Sequence, residues 1–173
     1  LPGETDEHRQ ETVEMLVHNG FDWAHVYLAI PIFGSRLYDL CIENGYIEQQ
    51  QDTRDHIATK SVIRAPTVDP EKLEKYAYET QLKVNFIENY NMKIGAYDVA
   101  ESYFKNVIDK YPNHAFGHFF MGKCKYEKGQ ATEAKHHFDA ACAIINDDKF
   151  WSKTAESLNI KSDMVKMFEN FEK

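Results

Sequence analysis

The sequence predicts a mainly α-helical chain with a smaller α/β part at its N-terminal end. Three observations predict this. Residues 81–148 divide into two units of 34 residues, and glycine, alanine and phenylalanine recur at unit positions 15, 20 and 24 in both. Residues 1–45 follow a different order: helix, apolar extended run, loop, helix. From Asp69 to the C-terminal end, helix start and stop signals bracket one amphipathic segment after another.

Thr5 suits a helix N-cap, and Asp6 and Glu7 lie in a first turn, where the helix dipole favours acids. Val13, Leu16 and Val17 form a helical stripe, closed by Gly20. Residues 23–30 read as a strand. Ala24, Val26, Leu28 and Ile30 make one apolar face, and Trp23, His25, Tyr27 and Ala29 make the other. Both faces are expected to be mostly buried, as in a parallel strand covered by helices. Pro31 ends the strand. Ser35 caps a helix that turns Leu37, Leu40 and Cys41 inward and stops at Gly45. In residues 46–69, Gln49–Gln51 and Asp52 are expected to be solvated, while Ile57, Val62 and Ile63 anchor the segment. Asp69-Pro70 is a strong helix start, and the helix it opens is expected to run unbroken to about Asn91.

The units follow. Gly95, Ala100, Phe104 and Pro112 mark the first, 81–114; Gly122, Gly129, Ala134, Phe138 and Ala141 mark the second, 115–148. The glycines suit tight turns inside each hairpin, and the alanines suit close helix contacts. Residues 149–173 match the repeat poorly and read as a C-terminal cap. The repeat resembles the tetratricopeptide repeat, a unit of two antiparallel helices. That resemblance implies a concave groove lined by unit positions 2, 5, 9 and 12: Leu82, Asn85, Asn89 and Met92, then Phe116, Phe119, Lys123 and Tyr126. Asparagines that both donate and accept, opposite aromatic anchors, suit an extended peptide backbone. The occupant is either a partner protein or the chain's own linker.

Composition narrows the function. The formal charge is −8, with 11 acidic against 4 basic residues over 1–60 and near balance beyond. No basic excess is present to neutralise phosphates, so neither nucleic acid nor an anionic membrane is an expected partner. No apolar run approaches the length of a membrane span. Three scattered cysteines, Cys41, Cys124 and Cys142, fit a reducing cytoplasm. The eight histidines form no H-x-x-x-H or H-x-x-E-H pattern, and no metal site is expected.

Two short motifs carry a second resemblance. Leu1-Pro2-Gly3-Glu4-Thr5 and, further on, Pro31-Ile32-Phe33-Gly34-Ser35-Arg36-Leu37-Tyr38 resemble the L-P-G-E-T and P-x-P-G-T-x-L-Y segments of radical S-adenosylmethionine (SAM) enzymes. The likeness is closest to the cobalamin-binding and methylthiotransferase-like members. Phe33 replaces a proline and Ser35 a threonine. The resemblance implies a partial (β/α) barrel of which residues 1–65 are the C-terminal part, followed by a repeat module over 66–173. It implies a larger cytoplasmic enzyme using SAM and a [4Fe–4S] cluster, and cobalamin in its cobalamin-binding members. Pro2, Gly3, Glu4 and Thr5 would lie beside SAM. His25, Tyr27, Pro31 and Ser35 would face the substrate lumen and its mouth. The cluster-binding C-x-x-x-C-x-x-C is not in this sequence, so the chain alone is expected to hold no cofactor and to be inactive. The alternative is a stand-alone repeat module that binds protein. A lone strand also invites a second copy to pair along its edge.

Overall fold

The computed structural model describes residues 1–47 and 59–171, with side chains as far as residue 168. The expectations for Gln49–Gln51, Asp52 and Ile57 lie outside these residues. Among the described residues the chain is helical, with no strand. It divides into two compact units, residues 1–16 with 25–81, and residues 17–24 with 82 onward.

The first unit opens on a turn. Pro2 and Gly3 occupy its centre, Gly3 takes φ 82°, and the Glu4 N–H donates to the Leu1 carbonyl at 3.0 Å. Proline followed by a left-handed glycine is the type II combination. Helix α1 (Asp6–His18) starts at Thr5. The Thr5 hydroxyl accepts from the His8 N–H, and His8 Nδ1 accepts from the Thr5 N–H, both at 3.3 Å. This is a reciprocal cap with histidine in the place usually taken by glutamate. Helix α2 (Arg36–Glu43) starts at Ser35, whose Oγ accepts from the Tyr38 N–H at 3.2 Å. Helix α3 (Pro70–Leu82) starts at Asp69. The core of this unit gathers Cys41, Ile63, Ala65 and Val68, with Leu37, Tyr46, Val62 and Leu73 against it. Leu73 of α3 joins this cluster, and the unit runs to Gln81.

The strand expected over 23–30 is not formed. The segment carries no regular ladder, because no second strand lies beside it among the described residues. Its alternation is nevertheless visible: Ala24 and Leu28 are buried, while His25 and Tyr27 are exposed. The segment therefore has one covered face, not two. Among the described residues there is therefore no strand edge along which a second copy could pair.

In the second unit α3 passes into one π-helical stretch, Lys83–Ile87. Val84, Asn85 and Phe86 are all buried there. The helix stops at Glu88, short of the expected Asn91. Asn89 then caps the single turn α4 (Tyr90–Lys93), accepting from the Met92 N–H at 3.0 Å. Helices α5 (Tyr97–Lys110), α6 (Ala115–Glu127) and α7 (Ala131–Asp147) follow, with α6 packed between α5 and α7. The recurring positions behave alike. Gly95 and Gly129 take φ 75° and 74°, and Ala100, Phe104, Ala134 and Phe138 are at most 1% exposed. Lys125 of α6 and Lys128, the residue that caps its C-terminal end, both bind Glu101 of α5, at 2.6 and 2.7 Å, and hold its carboxyl below the usual range. Helices α8 (Lys149–Ser157) and α9 (Lys161–Phe171) close the unit through Trp151, Ala155 and Met164.

Candidate functional site: a helical groove filled by its own chain

The groove residues named from the sequence are mostly inaccessible. Asn85, Asn89, Phe116 and Phe119 are each no more than 3% exposed. Lys123 is half-buried, its ammonium 5.4 Å from the Phe120 ring centre and 6.0 Å from that of Phe119. Tyr126 alone is largely exposed, at 51%.

What covers them belongs to the same unit. The side-chain amide of Asn85 meets the backbone of Ala24 twice. Its Oδ1 accepts from the Ala24 N–H at 2.8 Å, and its Nδ2 donates to the Ala24 carbonyl at 2.7 Å. An asparagine amide has the donor and acceptor of a peptide group, so it pairs with extended backbone as a neighbouring strand would. Trp23 lies flat on Tyr103, with centroids 5.4 Å apart and planes 7° apart, and meets Phe86 edge-on at 5.4 Å. Asn91 donates to the Asp22 carboxylate at 3.1 Å. Gly20 lies under Tyr90, where an added Cβ would come within 2.9 Å of the ring, and its φ of 68° independently demands glycine. The π-helical stretch places Asn85 and Phe86 side by side on this bound segment.

Asn89 does not bind the segment. Its Nδ2 donates to the Asn85 carbonyl at 2.8 Å, and its Oδ1 caps α4. The second half of the expected groove is closed by the C-terminal helices: Trp151 packs on Phe116 at 5.9 Å, and Phe168 meets Phe119 edge-on at 6.1 Å. Between the halves sits His114, which sequence reasoning passed over. Its Nδ1 accepts from the Gly117 N–H at 2.8 Å and caps α6. Its ring lies 4.5 Å from Trp151 and 5.2 Å from Phe86, and burial pushes its pKa down to about 4.

The residues singled out in the first unit mostly shape the chain. Pro2 and Gly3 form the opening turn, whose Gly3 N–H donates to the Thr67 hydroxyl at 3.2 Å. Glu4 faces the Leu1 amino group at 3.0 Å and Arg9 at 3.6 Å. Thr5 and Ser35 are helix caps, and Pro31 is fully buried. His25 and Tyr27 stack on each other at 5.6 Å. Glu4 and Tyr27 come together on one cleft of about 180 Å³, shared with Arg9, Thr12, Tyr76 and Thr80. Pockets for molecules of SAM's size enclose about 300 Å³ or more, and the Glu4 and Arg9 charges are already paired. These residues do not fit SAM by themselves. Nor do the cysteines fit a cluster. Cys41 and Cys124 are buried with raised pKa values, Cys124 up to about 11, and its thiol donates to the Tyr97 carbonyl.

No family model, curated protein or solved structure matches the chain.

Proposed function

We propose that the chain is the C-terminal part of a radical SAM enzyme, joined to tetratricopeptide-type hairpins that clamp their own chain. Support for the enzyme reading comes from the two motifs. The L-P-G-E-T segment forms a glycine turn that runs into a capped helix, and Ser35 caps α2 with the hydroxyl that threonine would supply. Support for the clamp comes from one observation, the paired hydrogen bonds between Asn85 and Ala24. In this reading the module secures residues 20–24, the stretch that leads directly into the extended segment from His25 to Pro31. Radical modification of a substrate belongs to the larger enzyme, and no step of it is carried by these residues. The rival reading, a stand-alone receptor for partner peptides, would use Asn85 and Phe116 as groove residues, and the burial of both favours the clamp.

The coding sequence upstream of Leu1 tests the enzyme reading. A C-x-x-x-C-x-x-C there is the expected result, and a complete upstream sequence without it overturns the reading. The clamp is tested separately, by hydrogen exchange. The Ala24 amide should exchange as slowly as the core amides of α6, and fast exchange there overturns it.

A further inference from the structure

We propose that His118 and His137 form a two-imidazole site for a divalent transition ion, with copper(II) the tightest binder. His118 lies on α6 and His137 on α7, nineteen residues apart in sequence, and their Nδ1 atoms stand 3.1 Å from each other. Two nitrogens bound to one ion at about 2.0–2.1 Å, with an angle between 90° and the tetrahedral value, stand about 2.9–3.4 Å apart. The separation is that of a chelate; in the ion-free pair the ring centres are 5.3 Å apart and the two nitrogens face each other in a hydrogen bond, so each ring turns to bring its lone pair onto the ion.

The surroundings set the tautomers. His118 Nε2 lies 2.9 Å from the Pro112 carbonyl. A carbonyl only accepts, so Nε2 carries the proton, and the neutral ring turns its Nδ1 lone pair toward His137. A histidine ligand held through its other nitrogen is the usual arrangement at metal centres. In the ion-free pair His137 donates from Nδ1. On binding, that proton moves to Nε2 by tautomerisation through solvent, so no net proton is released. Both rings are half-buried, so an ion reaches them from solvent.

Among the described residues no group of three histidine, cysteine or acidic side chains converges for a metal. Water then completes the coordination, and the order of affinity follows the intrinsic preference of imidazole for copper(II) over zinc. His136, beside His137, is exposed and its ring centre lies 5.6 Å from that of its neighbour; it serves as the control. A search for H-x-x-x-H within one helix misses this pair, because its members come from two helices.

Calorimetric titration of the full chain with copper(II) and zinc chlorides tests the site. The expected result is one copper(II) per chain, weakened at least tenfold by His118→Ala and by His137→Ala, unchanged by His136→Ala, with zinc weaker than copper. Imidazole NMR on the unaltered chain is independent of how the variants fold. Sub-stoichiometric copper(II) should broaden the His118 and His137 ring signals ahead of the other six histidines. Even broadening across all eight, or unchanged copper affinity in folded alanine variants, overturns the proposal.

Discussion

Asn85 holds Ala24 by both backbone polar groups at once, with Oδ1 at 2.8 Å from the nitrogen and Nδ2 at 2.7 Å from the oxygen. Ala24 is buried, so neither group has water to fall back on. Asn85→Ala removes both partners and strands an N–H and a C=O, each costing about 1–3 kcal/mol. The expected loss is about 2–4 kcal/mol by urea denaturation, or a melting point about 5–15 °C lower. Asn85→Asp keeps an acceptor, loses the donor and adds a buried charge, so it should cost at least as much. In a Trp151→Phe background, Trp23 emission should shift to the red in the alanine variant as Trp23 leaves Tyr103. A stability change under about 0.5 kcal/mol, the range of neutral surface substitutions, would falsify the clamp.

The small residues where α6 and α7 meet predict a packing effect. A Cβ placed on Gly122 would come within 2.7 Å of the Phe138 ring. That ring is 1% exposed and has no room to retreat. Gly122→Ala gains about 1 kcal/mol in helix propensity but incurs about 1–3 kcal/mol of overpacking. The net effect should be destabilising or near zero, whereas an exposed helical glycine changed to alanine would gain stability. Ala134→Leu has no compensating propensity gain and should cost the full about 1–3 kcal/mol, since Ala134 is wholly buried. A raised melting point for Ala134→Leu would mean that α6 and α7 pack differently.

The three thiols should react unequally. Cys41 and Cys124 have no exposed surface and raised pKa values, and thiolate is the reactive form. Cys142 is partly exposed. With a disulfide reagent at pH 8, one thiol should react before unfolding and two only after it, with Cys142 identified by mass spectrometry. Rapid reaction of all three would show that the cores around Cys41 and Cys124 open freely.

The helices were largely legible in the sequence because their signals are local. Ser35, Asp69 and the glycines at 20, 45, 95 and 129 mark ends that the structure places at or beside the expected residues. The alternation over 23–30 was legible too, as buried Ala24 and Leu28 show, but alternation reports only which side is covered. Whether a strand forms depends on a partner, which no local pattern supplies. Of the residues expected to line a groove, Asn85 meets the chain's own residue 24, while Asn89 caps α4 and Tyr126 is exposed. Asn85 presents the same amide to a foreign peptide or to Ala24, and only the fold brings residue 24 to residue 85. The His118–His137 pair was invisible for the same reason: its spacing is set by two helices lying side by side.

His114 gives the chain a pH dependence whose sign follows from its position. Burial between Phe86 and Trp151 lowers its pKa from 6.5 to about 4. The unfolded chain therefore takes up a proton on this residue at a higher pH than the folded chain does. Its contribution to stability is fully present above pH 6.5, falls as the pH drops from there, and is lost by about pH 4. A shift of that size corresponds to about 3 kcal/mol. Protonation also ends its cap, because a protonated Nδ1 cannot accept from the Gly117 N–H. His137, shifted the same way but more exposed, adds a smaller loss over the same window. The carboxyls held low, such as Glu101, weaken the fold only at lower pH still, as they take up protons. Denaturant midpoints measured from pH 7.5 to 4.5 should thus decline chiefly below pH 6.5. His114→Asn retains a capping acceptor without a titrating group, so its stability at pH 7.5 should fall through lost packing on Trp151, while its decline between pH 6.5 and 4.5 should be shallower than that of the unaltered chain. Equal slopes for the two proteins would place the pH dependence elsewhere and show that His114 titrates alike folded and unfolded.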